Sequence, residues 1–524
     1  MCEKNVFFIA EAEGFFRSSL EVHPGDLKSQ VWLALALRLA LRYEGKQSRF
    51  QEAFQVLAQA YASAPLDYLV LHELLTACEL AGEEKAAKNY AAEFDRIASR
   101  DVQVYLEVAA EYISIESYED CLKVLARARQ SPEKRVSQHP FVHYYEGYCK
   151  AKLGKEEEAR RHYELGSSAD RSLVFPNRLE DLEVLADVLR RNPDDAAAHY
   201  YLGNLLYSRY RAEEACQEWE ASARLDDTFP STGLRTSFVV HRNLGYYYWK
   251  LKLDLERAAA EYERAVELQP TEPRLYRDLD QIYASMLRHE RRVELLTRVP
   301  DEGLGHCETI ARLASAYRDV GDYDRALAIL RGNEFTAREG YTGVWEIFSD
   351  TLLKRGYGKM QQSNYEAAIA DFLEATTYPE SLGIGEPAYP VNAQQWYLVG
   401  LCYEAMGREQ ESREYWLKAV EESQRVGATG PARFYMGLSH LKSGDAGKAN
   451  EIFDGLIRDG ESALKAVWYR EKQEREIANA HYLMALAHAG KGDLRRAREH
   501  FGQLLQIMPE MRMDFATVLY EELL

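Results

Sequence analysis

The chain carries many groups capable of chemistry, but few sit at spacings that would let them act together. Its thirteen histidines and seven cysteines are spread over 524 residues. The cysteines (Cys2, Cys78, Cys121, Cys149, Cys216, Cys307 and Cys402) never form CxxC, which argues against a zinc or disulfide framework and suits reduced thiols. His143, His199, His241 and His481 recur at the same opening position of successive helical units, about one unit apart. Ligands placed that way do not converge on one ion, so no metal and no cofactor is expected. There is no GxGxxG, P-loop or HExxH, and Gly383-Ile384-Gly385 is too short to cradle a phosphate. Carboxylates at helical spacing read as a solvated face rather than an acid–base pair. The expectation is a non-catalytic protein.

The elements that would position these groups repeat. AHYYLGNLLYSRYRAEEACQEWEASARL from Ala198 aligns with VHRNLGYYYWKLKLDLERAAAEYERAVELQP from Val240. QWYLVGLCYEAMGREQESREYWLKAVEE from Gln395 and AHYLMALAHAGKGDLRRAREHFGQLLQIMP from Ala480 follow the same scheme. A large residue opens each unit, Gly or Ala follows, a small residue sits near the middle and an aromatic comes four residues later. The pattern resembles the tetratricopeptide repeat (TPR), a helix-turn-helix of about 34 residues. On that pattern Gly203, Gly245 and Gly400 lie where the two helices of a unit meet, with Ala215, Ala258 and Ala497 opposite. Trp219, Tyr262, Trp416 and Phe501 are expected to fill space against the next repeat. Pro270 and Pro509 stop second helices, and Gly321, Gly407, Gly444 and Gly492 close first helices in the left-handed conformation.

The expected fold is therefore all-α, an α-α superhelix (a TPR solenoid) of about twelve helix-turn-helix repeats. Its expected divisions are an N-terminal cap region at 1–31, repeats one to four at 32–177 and an extra helix at 178–193. Repeats five to eight follow at 194–331, then a repeat flanked by two Gly/Pro-rich loops at 332–391. Repeats ten to twelve occupy 392–509, and a capping helix occupies 510–524.

In such an array, first-helix side chains that do not pack inward line a concave groove. Those positions hold Tyr200, Tyr201, Asn204 and Tyr207, then Arg242, Asn243, Tyr246 and Trp249, then Arg274, Arg277 and Gln281. Aromatic faces beside amide and guanidinium donors suit an extended peptide or a sugar. Packing against neighbouring helices accounts for the tyrosines equally well. Asn204, Asn243 and Arg274 match three positions of the carboxylate clamp that grips acidic peptide tails. Tyr200 and Asp278 replace its other cations, which argues against that ligand.

One stretch breaks the helical pattern. TTYPESLGIGEPAYPVNAQQW, Thr376–Trp396, holds three prolines and two glycines that no helix accommodates. With a second insert at Gly332–Gly343 it flanks the repeat YEAAIADFLEATTYP. Phe335, Arg338, Glu339, Tyr341, Tyr378, Glu386 and Tyr389 form a candidate loop site, expected to fold over one side of the groove; a packing plug is the alternative. From about Asp101 to Pro509, the phrases SLVFPNRLEDLEVLADVLRRNPDDAAAHYYLGNLLY, LRGNEFTAREGYTG and ATTYPESLGIGEP resemble one bacterial family. Its members carry a TPR array after a β-sandwich domain of unknown function that is similar to carbohydrate-active domains. The resemblance implies a bacterial origin and a link to glycan metabolism; a β-sandwich domain or a second copy of the chain is the partner expected of a scaffold reading. That sandwich is not among these residues, so its activity is not theirs, and AREGYTG lacks the aromatic expected before the acidic-glycine step.

A net charge of −19 repels phosphate backbones and anionic membranes, so neither nucleic acid nor membrane is an expected partner. MCEKNVFFIAEAEGFF is acidic and lacks the apolar core of a signal peptide; VWLALALRLALRY is short and broken by Arg38. The expected location is cytoplasmic. The leading functional expectation is a non-catalytic TPR scaffold that binds a protein or peptide through its groove and two Gly-rich loops. The alternative is the accessory half of a carbohydrate-active enzyme, with a glycan as ligand.

Overall fold

The protein is described from a computed structural model covering residues 2–44, 47–98, 100–171, 173–228, 237–299, 307–336, 343–465, 470–509, 511 and 516. It is all-α, with no strand among the described residues. The chain divides into two compact units, Met1–Leu244 and Gly245–Leu524. Within each, short turns join helices into antiparallel hairpins, twelve in all among the described residues. In the first unit the helix Cys2–Val22 lies against Leu27–Glu44, and a single helix, Leu179–Arg191, stands between two hairpins. The stretch expected to form a closing helix, 510–524, lies outside the described residues except for Met511 and the buried Ala516.

The hairpins close on a glycine–aromatic contact. A Cβ added at Gly203 would stand 2.5 Å from the Trp219 indole, and one at Gly400 would stand 2.3 Å from the Trp416 indole. These aromatics therefore pack on the glycine of their own repeat. Two of the four expected to reach the next repeat also do so: Tyr262 Oη stands 3.4 Å from Asp278, and Lys442 Nζ lies 5.7 Å from the Trp416 ring. The glycine–indole partners are sixteen residues apart in both pairs, but Gly245 and Tyr262 are seventeen apart. The extra residue is absorbed by a π-helical turn, Tyr248–Lys252, which ends the helix Ser237–Tyr247 and restores the contact at 2.5 Å.

The turn between helices is also set residue by residue. Gly321, Gly444 and Gly492 adopt φ of 83°, 87° and 77°, and the next residue, Asp322, Asp445 or Asp493, accepts a hydrogen bond from a backbone N–H at the start of the second helix. Other hairpins place a side chain at this left-handed position, notably Tyr210 at φ 61° and Leu253 at φ 55°.

Two buried ionic networks tie hairpins together. In the first unit Arg38 donates to both oxygens of Glu73, at 2.8 and 3.0 Å, and to Asp120 at 2.9 Å. The residue that interrupts the longest apolar run is thus fully enclosed, at 2% exposure, and joins three hairpins. In the second unit, charges alternate from Arg312 to Asp280 (3.1 Å), Arg292 (2.8 Å) and Asp319, then to Arg318 (2.8 Å), Asp350 (3.1 Å) and Lys354 (3.0 Å). Desolvation of this kind is tolerable only where every charge has a partner.

Candidate functional site

The residues expected to line the groove do not form one surface. Tyr200 and Tyr201 are buried, at 6% and 0% exposure, so they belong to the core of the first unit. Asn204 accepts hydrogen bonds from Trp219 Nε1 and Asn243 Nδ2, both at 3.0 Å, so the two amides of the supposed clamp hold each other. Tyr207 is half-buried beside Trp219, with ring centroids 5.5 Å apart, and Arg242 is exposed. In the second unit Tyr246, Arg274, Arg277 and Gln281 are exposed, and Arg277 pairs with Asp278. Trp249 sits on the π-turn, edge-on to Tyr262 at 6.4 Å and under Lys250 Nζ at 3.5 Å.

A groove lined by first helices lies elsewhere in the second unit. It encloses about 520 Å³ and is lined by residues of five successive first helices, the first of which, Cys307–Asp319, gives Arg318. Gly343–Gln361 contributes Trp345 and Leu353, Ala393–Ala405 contributes Gln394, Gly430–Lys442 contributes Tyr435, and Arg470–Gly490 contributes Tyr482. Polar groups ring it: Arg318, Glu346 and Asp350 at one end and Gln394 and Gln395 beside them. Apolar walls with a few placed polar groups are what a binding cleft requires. The sequence signal was present, since Trp345, Ser349 and Leu353 recur every fourth residue. It was hidden because the helix begins directly after the Gly-rich insert.

The two inserts meet. Phe335 N–H donates to Ser381 O at 2.7 Å, and Phe335 and Leu382 are both buried in the second unit's core. Phe335 is therefore a core residue rather than a groove contact. Arg338, Glu339 and Tyr341 lie outside the described residues. Tyr378 stacks on Trp345, and Trp345 Nε1 donates to Thr377 O at 2.8 Å, which clips the second insert onto the groove helix. Burial, followed by the charges of Glu386 and Glu422, pushes the Tyr378 phenol up to about 12, so it stays neutral. Glu386 and Tyr389 are exposed, the latter with the Arg425 guanidinium 5.9 Å from its ring. The insert ends Gly343 and Val391 line the groove; Glu386 and Tyr389 do not.

A smaller cleft of about 380 Å³ lies in the first unit, between Trp32, Tyr68, Glu107, Glu111 and Arg178. Tyr68 donates to Glu107; burial and that contact raise its phenol to about 12.

One expectation about histidine is corrected. His143 does not stand alone: Glu146 from its own helix and His162 from the second helix of the same hairpin converge on it, with ligand atoms all within 4.8 Å. Comparing histidines at equivalent positions of successive repeats overlooks contacts across a hairpin. There the readable signal is a separation of nineteen residues, shared by His143 and His162, His199 and Glu218, and His481 and His500.

A tetratricopeptide-repeat family model matches residues 182–230 and 353–425, and a second tetratricopeptide-repeat model matches 243–272. The chain carries tetratricopeptide repeats, modules that generally bind proteins or peptides and are generally non-catalytic. Among solved structures it is similar to YrrB, described as a TPR protein with an unusual peptide-binding site. Identity there is 15%, over 46% of this chain and 92% of that one, with a TM-score of 0.25. The C-terminal part of a TPR repeat-containing protein from Cytophaga hutchinsonii is 13% identical over 53% of this chain and 99% of that one, with a TM-score of 0.27. The TPR domain of P58(IPK) is 13% identical over 73% and 98%, with a TM-score of 0.21. No helix among the described residues is long and apolar enough to cross a membrane.

Proposed function

We propose that the chain is a non-catalytic docking scaffold whose partner is an extended protein or peptide segment laid along the groove of the second unit. The observation that carries this reading is the groove itself: five consecutive first helices line one cleft with aromatic and polar side chains. The Trp345–Tyr378 stack supports it, because it fixes a large aromatic at the rim before any partner arrives, which lowers the entropic cost of binding. The charge of −19 favours approach of a basic segment. A glycan has less to stack on, since Trp345 already gives one ring face to Tyr378.

The test is site-specific crosslinking in extract of the source cells, with a photoreactive residue at Gln394 in the groove or at the exposed Gln410 outside it. A discrete adduct at Gln394, lost when Ala432→Trp fills the cleft, supports docking. Equal labelling at both positions counts against it. Calorimetric uptake of oligosaccharides by the wild type and not by Ala432→Trp would shift the reading to a glycan.

A further inference from the structure

We propose that His143, Glu146 and His162 form a binding site for a divalent transition metal of the zinc class. His143 and Glu146 lie three residues apart, one turn along Pro140–Lys152, so their side chains leave the same face. His162 comes from Glu156–Ser168, the antiparallel partner of that helix, and points at them. Its Nδ1 stands 3.0 Å from Glu146 Oε2, and His143 Nδ1 stands 3.9 Å from the same oxygen. Glu146 is 3% and His162 is 7% exposed, and the His143 side chain is 13% exposed.

The decisive feature is that these three atoms are unsatisfied. His143 Nδ1, Glu146 Oε2 and His162 Nδ1 are all buried and all lack a hydrogen bond of acceptable geometry. A buried polar atom left without a partner is destabilising. Three facing one point is an arrangement that a single shared cation satisfies. Arg129 Nε lies 3.4 Å from the other oxygen, Oε1, and so turns Oε2 toward the histidines.

Two imidazole nitrogens and one carboxylate oxygen are a borderline set, suited to Zn²⁺ and its neighbours rather than to Ca²⁺ or Mg²⁺. Tetrahedral ligands at bonds of about 2.1 Å stand about 3.4 Å apart, which lies between the 3.0 and 3.9 Å separating the two imidazole nitrogens from Glu146 Oε2, so small side-chain rotations admit such an ion. Three protein ligands leave a fourth position for water. The bound ion would pin the two helices of this hairpin together.

The experiment uses the full chain, stripped with chelator and titrated with Co²⁺ and Zn²⁺. Expected are visible d–d bands of a four-coordinate cobalt site, displaced by Zn²⁺, and a rise in Tm with Zn²⁺. Glu146→Gln, which keeps the side-chain shape, and His162→Gln should each weaken binding by about 100-fold and abolish the Tm rise. Circular dichroism confirms that both variants remain folded. His481, His488 and His500 also cluster, so His500→Gln is the control and should leave the bands unchanged. Absence of the bands in the wild type, or their loss in His500→Gln but not in Glu146→Gln, overturns the proposal.

Discussion

Trp345 and Tyr378 lie face to face, with ring centroids 4.6 Å apart and planes 7° from parallel. One residue opens a groove helix and the other belongs to the insert that interrupts the helical pattern, so the stack makes that insert part of the groove wall. Tyr378→Phe should be nearly neutral, because the ring and not the hydroxyl makes the contact. Tyr378→Ala should cost about 1–3 kcal/mol. Denaturant melts report the loss, and a change in tryptophan emission localises it. Equal effects of the two substitutions would contradict this account.

Gly400→Ala should be far more damaging than a single methyl suggests, because the Cβ would meet the Trp416 indole at 2.3 Å. Overpacking of this kind costs about 1–3 kcal/mol. Adding Trp416→Leu should recover part of the loss, leaving a coupling term in a double-mutant cycle. Additive effects would mean that the two residues are independent.

The first unit should weaken in mild acid. Tyr112 has one proton and donates it to Glu73 at 2.5 Å, so His72 Nδ1–H must donate to Tyr112 Oη at 2.7 Å. Burial pushes His72 down to about 3, whereas an unfolded histidine titrates near 6.5. Between these values the unfolded chain takes up a proton and the native unit does not. Stability therefore falls as pH drops from about 6.5 toward 3, by about 1.4 kcal/mol per pH unit. Asp120 adds a second loss further down: its burial is outweighed by Arg38, Lys123 and Ser117 together, which hold its carboxyl at about 2, so its contribution is present above about 3.9 and disappears as pH falls toward 2. Hydrogen exchange of peptides from Tyr68–Ala81 reads both windows. His72→Phe should make the upper one shallower, with His139, which burial holds at about 4, still contributing, and leave the lower.

Tyr210→Gly should stabilise. Tyr210 is 98% exposed and held at φ 61°, a conformation that costs an L-residue about 1–2 kcal/mol. Glycine entropy offsets part of the gain, leaving about 0.5–1 kcal/mol. A lower midpoint in urea would mean that the tyrosine makes a contact worth more than the strain.

The repeat was legible because its rules are local: a glycine, an aromatic sixteen residues later and a Gly-Asp turn can be read from one strand of text. The groove was not, because its position depends on which first-helix faces remain uncovered, and that is decided between repeats. Tyr200 and Tyr201 occupy groove register in the alignment yet are enclosed in the first unit's core, Tyr201 against Phe141 and Tyr144 from another hairpin. Trp345 is illegible for another reason: it stands at the start of a helix that directly follows an insert, with no preceding helical period to assign it a face. The histidine pair was missed for a third reason, since its members belong to opposite helices of one hairpin and only the nineteen-residue interval joins them.

The alternating charges from Arg312 to Lys354 cross three hairpins of the second unit. Repeat arrays ordinarily unravel one module at a time, because each module leans only on its neighbours. Here, opening any one module exposes an ion and strands its counterpart in a dry interior, at a cost of several kcal/mol. The stretch from Pro273 to Glu374 should then open as a single block, giving this unit a sharply cooperative segment inside an architecture that is otherwise modular.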